Sequence, residues 1–308
     1  MLRVFLLLFI VATTIFLAHG LGTQLAERRV ICGRPCVVVP AASDVLYPTL
    51  VLLGGIAQTA ASWEHQLPSL SRNRQVVVYE CLGQGKRSDA VVESFDDVSL
   101  PLQAEQLLNV LEEVTDSPND VVDIAGFSFG GRVAMAAACS PQHRIRKLHL
   151  TGVGCDRSDY GHLAMDSFKD IIQSDPSLRS FAWAILLATY SPRFLRQLSD
   201  EMRQRFLTHI STNNTPEGLS AILKQAEVRD ESDPYHVRNM GDRLGQTGII
   251  TKLCVGELDL MAPVDQVKLL AEKLGSQDVD VVPDCGHAIG VEGARAWKDS
   301  VSTFMSEP

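Results

Sequence analysis

Apolar residues along the chain gather into short continuous runs, separated by stretches with a longer, helix-like period. Runs of strand length stand at 37–39, 49–53, 75–79, 121–125, 145–150, 249–255 and 279–283. Continuous rather than alternating runs predict strands buried on both faces. Between them, Ala104, Leu107, Leu108, Leu111 and Val114 share one helical face, which predicts a helix over 100–115. The alanine-rich run after Gly131 predicts a buried helix, Leu269, Leu270 and Leu274 lie on another, and a last helix runs from about 292 to 305. Strands alternating with helices predict an α/β fold with a mostly parallel sheet covered on both sides. Residues 21–48 read as an opening hairpin.

The texture changes over 155–245. Strand runs vanish, and the segment is helical throughout, with 181–188 as its most apolar helix. Asn213-Asn214-Thr215-Pro216 marks a break, and Thr215 or Asn214 can cap the helix that follows. The expected organisation is a core of 21–154 and 246–308, interrupted by a helical cap over 155–245. The first twenty residues stand apart. Met1-Leu2-Arg3 precedes an apolar run over 4–18, with small residues at Ala18 and Gly20. This reads as a secretory signal, and the run is short for a span of about 20 apolar residues. It points to the secretory pathway or an extracellular destination, with an uncleaved membrane anchor or a plastid address as alternatives. Membrane contact would come only through this segment.

Bulk properties narrow the function. The 308 residues carry a net charge of −9 and 45% hydrophobic residues, enough for a sizeable core. The acidic balance and the absence of a basic cluster argue against a nucleic-acid partner. Of the seven cysteines, Cys32 and Cys36 flank Gly33-Arg34-Pro35 and can bridge a hairpin in an oxidising compartment. No Cys or His spacing suits zinc, and neither a metal nor an organic cofactor is implied.

The chemistry concentrates at Gly126-Phe127-Ser128-Phe129-Gly130, a G-x-S-x-G motif set between a predicted strand and a predicted helix. A serine at the tip of so sharp a turn needs small residues two before and two after it. The helix behind it favours developing negative charge. A serine hydroxyl also needs a base, and the base an orienting acid. Asp259 follows the strand ending at Val255, and His287 follows the strand ending near Val282. Glu257 is the alternative acid. Asp259 is favoured because it stands just before Met261-Ala262-Pro263-Val264, the exit to the next helix. Asp284 reads as a turn residue. The other seven histidines lack the strand-to-loop context.

These residues, in the order Ser, Asp, His, resemble the α/β-hydrolase superfamily over about 45–155 and 246–308. The resemblance implies a serine hydrolase that cleaves an ester or similar acyl bond of a small molecule. With no charged-pocket signature in the sequence, an apolar or mixed substrate is expected. The resemblance also implies backbone N–H donors at Ile56 and Phe129, although Gly54 stands where the family usually has histidine. Gly126 to Met135 is also similar to the elbow of 2-succinyl-6-hydroxy-2,4-cyclohexadiene-1-carboxylate synthases. That likeness implies substrate contacts from Arg132 and Trp63, and the alternative of proton abstraction with loss of pyruvate. Ser211-Thr212-Asn213-Asn214 is similar to that family's cap sequence, but Ile210 stands where the family carries an arginine. A non-catalytic ligand-binding member of the fold is the third alternative.

Overall fold

The apolar runs become strands of one sheet. The computed structural model describes residues 14–15, 26–85, 97–115, 117, 120–276 and 279–307. Most of the leader at 1–20, and Lys86 to Asp89 of the glycine-rich loop, lie outside the described residues. The strands are β1 (Thr14–Ile15), β2 (Ala26–Ile31), β3 (Arg34–Val39), β4 (Thr49–Leu53), β5 (Val76–Tyr79), β6 (Val122–Phe127), β7 (Ile145–Thr151), β8 (Ile250–Gly256) and β9 (Val279–Val282). Their spatial order is β1-β2-β3-β5-β4-β6-β7-β8-β9. Neighbours from β5 through β9 run parallel, and β1, β2 and β3 add an antiparallel edge.

The helices are α1 (Leu67–Leu70), α2 (Leu100–Glu113), α3 (Phe129–Ala138), α4 (Asp159–Ser174), α5 (Arg179–Thr189), α6 (Pro192–Gln197), α7 (Asp200–Asn213), α8 (Pro216–Gln225), α9 (Val237–Leu244), α10 (Val264–Leu274), α11 (Ile289–Glu292) and α12 (Ala294–Ser306). The continuous apolar strands divide their side chains between two cores. Val51 and Leu53 of β4 face the core shared with α2, α3 and α10. Leu50 and Leu52 face the core shared with α1 and α12. This is the burial on both faces that the run pattern demands. No described helix is long and apolar enough to cross a membrane.

Three details differ from the sequence-based expectation. The turn between β2 and β3 is Cys32-Gly33, with positive φ at both, so Arg34, Pro35 and Cys36 already belong to the strand. Cys32 is exposed at the tip, Cys36 is buried, and both thiols are free. The strand at 121–125 is not wholly apolar. Asp123 is fully buried and meets Arg74 at 2.9 Å and Arg146 at 2.8 Å. Those arginines also donate to the Met305 carbonyl, which fastens the end of α12 beneath the sheet. Finally α9, assigned to the insertion, packs against α3 and α10 on the flank of the sheet.

The segment between β7 and β8 is helical. Its α5 covers the predicted apolar segment, and Phe168 of α4 meets Phe181 of α5 edge to face at 5.5 Å. Thr215 caps α8 by accepting from the Gly218 N–H at 3.2 Å.

Candidate active site

Ser128 sits where β6 turns into α3, with φ 51 and ψ −114. A non-glycine residue rarely adopts such backbone, and it persists only where its surroundings enforce it. Here the Ser128 N–H donates to the Thr151 carbonyl at 2.8 Å, and the Gly130 N–H to the Gly54 carbonyl at 3.1 Å. The turn is too tight for side chains beside it. A Cβ on Gly126 would come within 2.6 Å of the Gly131 Cα, and one on Gly130 within 2.6 Å of the Gly54 carbonyl oxygen.

The loops after β6, β8 and β9 converge although β7 lies between the first two strands. His287 Nε2 is 2.9 Å from Ser128 Oγ, and His287 Nδ1 is 2.7 Å from Asp259 Oδ2. The imidazole reaches across the end of β7 because Gly152 is there. A Cβ on Gly152, whose φ is +62, would stand 2.9 Å from the His287 ring. Asp259 is held in turn by the Met261 and Ala262 N–H groups, both donating to Oδ1 at 2.8 Å. An ionised carboxylate only accepts, so Nδ1 carries the proton and Nε2 is free to accept from the serine hydroxyl. Such a hydroxyl can lose its proton as it attacks.

Glu257, the alternative acid, is exposed and accepts from the Asp284 N–H at 3.0 Å. Asp284 is an exposed turn residue with φ 57, paired with Arg193 at 2.7 Å.

Ile56 and Phe129 both line the space in front of Ser128. Phe129 begins α3, so its N–H lacks an intrahelical partner. Neither amide donates to an acceptor among the described residues.

That space is a cavity of about 400 Å³. Its lining is mixed. Met165, Phe168, Ile185, Phe206 and Ile222 descend from the insertion helices, while Arg132 enters from α3. Desolvation pulls the Arg132 guanidinium down to about 9, with Arg157 adding repulsion and Glu227 partly offsetting it. At neutral pH it remains a cation.

Trp63 is not in the cavity. Its ring is buried 5.5 Å from that of Trp297 in the core under α12. The expectation of a substrate contact from Trp63 is therefore corrected: the preceding loop turns through Ala60–Trp63 and carries the indole into the core.

Arg157, which the sequence could not place, does line the cavity. Its Nε lies 3.5 Å from Glu227, a carboxylate also held by Lys169 at 2.9 Å and Arg229 at 3.2 Å. Burial alone would raise Glu227, but these cations together hold it below the usual carboxylate range. The available signal was position, since Arg157 follows the carboxyl end of β7. His209 was missed for the opposite reason. It reaches the cavity from α7, not from a strand end, and meets Ser62 Oγ at 3.3 Å.

A family model described as the alpha/beta hydrolase family matches residues 50–297. The chain belongs to that family. It is similar to the 2-hydroxy-6-oxononadienedioate/2-hydroxy-6-oxononatrienedioate hydrolase of Cupriavidus pinatubonensis, 25% identical over 264 residues, covering 83% of this chain and 86% of the relative. It is also similar to the 2-succinyl-6-hydroxy-2,4-cyclohexadiene-1-carboxylate synthase of Shigella flexneri, 26% identical over 250 residues, covering 78% and 86%. Among solved structures, the enol-lactonase from Burkholderia xenovorans superposes with TM-score 0.69 at 16% identity, covering 91% of this chain and 100% of that one. An alpha/beta hydrolase enzyme from a deep-sea metagenome library gives 0.72 at 22%, covering 90% and 96%. These last two share the fold. The chain is an enzyme of the hydrolase family.

Proposed function

We propose that this enzyme is a serine hydrolase that cleaves an ester or similar acyl bond of a small acidic molecule through an acyl-enzyme. The observation that carries this is the unbroken hydrogen-bond chain from Asp259 through His287 to Ser128, ending at the floor of a cavity. Ser128 Oγ attacks the carbonyl carbon while His287 Nε2 takes its proton. Asp259 holds the imidazole and stabilises its cation. The oxyanion is received by the Ile56 and Phe129 N–H groups. His287 returns the proton to the leaving group, then activates water to release the acid. The insertion helices act as the cap that shapes the pocket. An acidic substrate is favoured by Arg132, a cavity-lining cation with no ion pair among the described residues. The hydrolase similar to this chain is itself named for a dioate substrate, which supports the same preference.

The test is labelling by a fluorescent fluorophosphonate beside Ser128→Ala and His287→Ala, followed by a panel of neutral and carboxylate-bearing esters. Labelling and turnover lost in both variants are expected. A folded wild type that neither labels nor turns over any ester would sink the proposal.

A second reading has one observation behind it. Arg132 stands four residues after Ser128 and enters the cavity, as the likeness to the synthases implies. That chemistry removes a proton and expels pyruvate without an acyl-enzyme. Against it, Ile210 lines the cavity where that family has an arginine. Pyruvate release from the synthase substrate, with esters untouched, would favour it over hydrolysis.

A further inference from the structure

The glycine-rich loop after β5 supplies no group to the Ser128–His287–Asp259 chain, yet it holds a buried glutamine against the segment that carries Ile56. Gln84 is 2% exposed and does not line the cavity. Its Nε2 donates to the Gly55 carbonyl at 2.6 Å. Gly55 O and Ile56 N–H belong to one peptide unit. In a trans peptide the carbonyl and the N–H point in opposite directions, and the unit is rigid. No described peptide bond is cis. The Gly55 oxygen also accepts from the Gln58 N–H at 3.1 Å within the turn. Gln84, from outside the turn, holds the oxygen toward the protein interior, so the N–H at the other edge is turned toward the cavity. Gly55 lies directly beside Ser128, since a Cβ on it would be 3.3 Å from the Ser128 Cβ.

We infer that Gln84 is a positioning residue that aims the Ile56 N–H at the oxyanion. This rests on the hydrolase reading above, and it answers the absence of histidine at position 54. The support does not stop at Gln84. The Gly55 N–H donates to Gln58 Oε1 at 2.7 Å, which fixes the preceding peptide. Buried Asn214, at the end of α7, donates to the Ala57 carbonyl at 3.0 Å and accepts from the Gly85 N–H at 3.2 Å. Ala57 has φ 66, a backbone that needs such external restraint. One insertion residue thus clasps both the oxyanion loop and the loop bearing Gln84. The glycine-rich loop lies close against α8, where a Cβ on Gly83 would fall 2.9 Å from the Gly218 carbonyl oxygen.

Gln84→Met keeps the side-chain length and removes the donor. Gln84→Glu keeps the shape and presents an acceptor instead. A donor aimed at the transition state changes kcat rather than KM. On an ester whose turnover depends on Ser128, kcat is expected to fall about 10- to 100-fold in both variants, with KM within about twofold. Affinity for a trifluoromethyl ketone, whose adduct oxygen on Ser128 mimics the oxyanion, is expected to fall by the same factor. Affinity for the product acid should stay put. A general loosening of the fold would disturb the acid and the ketone alike. A crystal structure of Gln84→Met is expected to show the Gly55–Ile56 peptide rotated, and this can be read even where no ester is turned over. A peptide that stays in place would overturn the inference, as would unchanged kcat in either variant or lost kcat with undiminished ketone affinity. Wild type without Ser128-dependent turnover would instead defeat the hydrolase reading, leaving the peptide orientation to decide the role of Gln84.

Discussion

Two clusters in this molecule bring a serine, a histidine and an aspartate together, and their hydrogen bonds run in different directions. At the carboxyl ends of the strands, the carboxylate of Asp259 meets His287, and His287 meets Ser128. On the flank, between the sheet and α12, the order changes. Ser300 donates its only proton to Asp280 at 2.5 Å. Ser300 Oγ must then accept from His149 Nε2, 2.9 Å away. His149 Nδ1 is left to accept from Thr151 Oγ1 at 3.3 Å, and Thr151 accepts from the Trp297 indole. In the first cluster protons point from serine toward histidine and from histidine toward aspartate. In the second, histidine is the donor to serine, and the aspartate holds the serine proton. Under the proposed function, the same residue types therefore give a base in one place and a structural rivet in the other. Backbone sharpens the contrast: Ser128 stands on a strained turn facing a cavity, whereas Ser300 lies inside a regular helix.

The strongest way to break the comparison is to remove each serine and histidine in turn. Ser128→Ala and His287→Ala are expected to lower kcat on a responsive ester by about 10⁴-fold or more. Asp259→Asn is expected to cost roughly 10³- to 10⁴-fold, because an amide can hold the imidazole in the wrong tautomer. Steady-state kinetics on folded variants checks all three. A Ser300→Ala variant that lost comparable activity would erase the distinction between the two clusters.

The flank cluster has its own signature in acid. Burial pulls His149 from its ordinary 6.5 down to about 4. The unfolded chain then takes up the proton first as pH falls. Stability from a neutral His149 is fully present above about 6.5 and is lost progressively until about 4, for a total on the order of 3 kcal/mol. Denaturant unfolding at pH 7, 5.5 and 4 checks this. His149→Phe should flatten that part of the profile, and an unchanged slope would remove the buried histidine from the account.

The contrast also marks what the sequence could reveal. Ser128, Asp259 and His287 were legible because each follows a strand run, and parallel strands deliver their exits to one edge of the sheet. His149 lies inside a strand run rather than in the loop after one, and its partners come from elsewhere in the sequence. What stayed hidden depended on crossings. Nothing local to Gln84 says that its amide meets Gly55, 29 positions away. Nothing local to Trp63 says that its ring turns from the cavity to Trp297. The sheet was legible from its runs, but the insertion offered only helical period, so which side chains would face Ser128 could not be read.

Arg132 sharpens the comparison from the cavity side, since it is a cation with no ion pair among the described residues, whereas the flank cluster's Lys252 is paired with Asp280. Arg132→Gln is expected to lower kcat/KM for a carboxylate-bearing ester by about 10- to 100-fold, the worth of one charge-assisted hydrogen bond. A neutral ester of the same length should change by less than about threefold. Equal losses on both esters would assign Arg132 to packing rather than recognition.

The smallest expected effect is the most discriminating for the flank cluster. Ser300→Ala removes the acceptor of the His149 N–H and one donor to Asp280. Asp280 keeps Lys252 at 2.9 Å, so its charge is not stranded. The buried N–H has no such reserve, which sets the loss near 1–2 kcal/mol of stability. Ser300→Thr, which keeps the hydroxyl, should recover most of it if the added methyl fits. Turnover should stay within about twofold of wild type in both, because no side-chain hydrogen bond among the described residues joins this cluster to Ser128. Chemical denaturation read beside kcat measures the two consequences separately. A stability loss with intact kcat is the behaviour of a rivet, and it follows from the direction of one proton on Ser300.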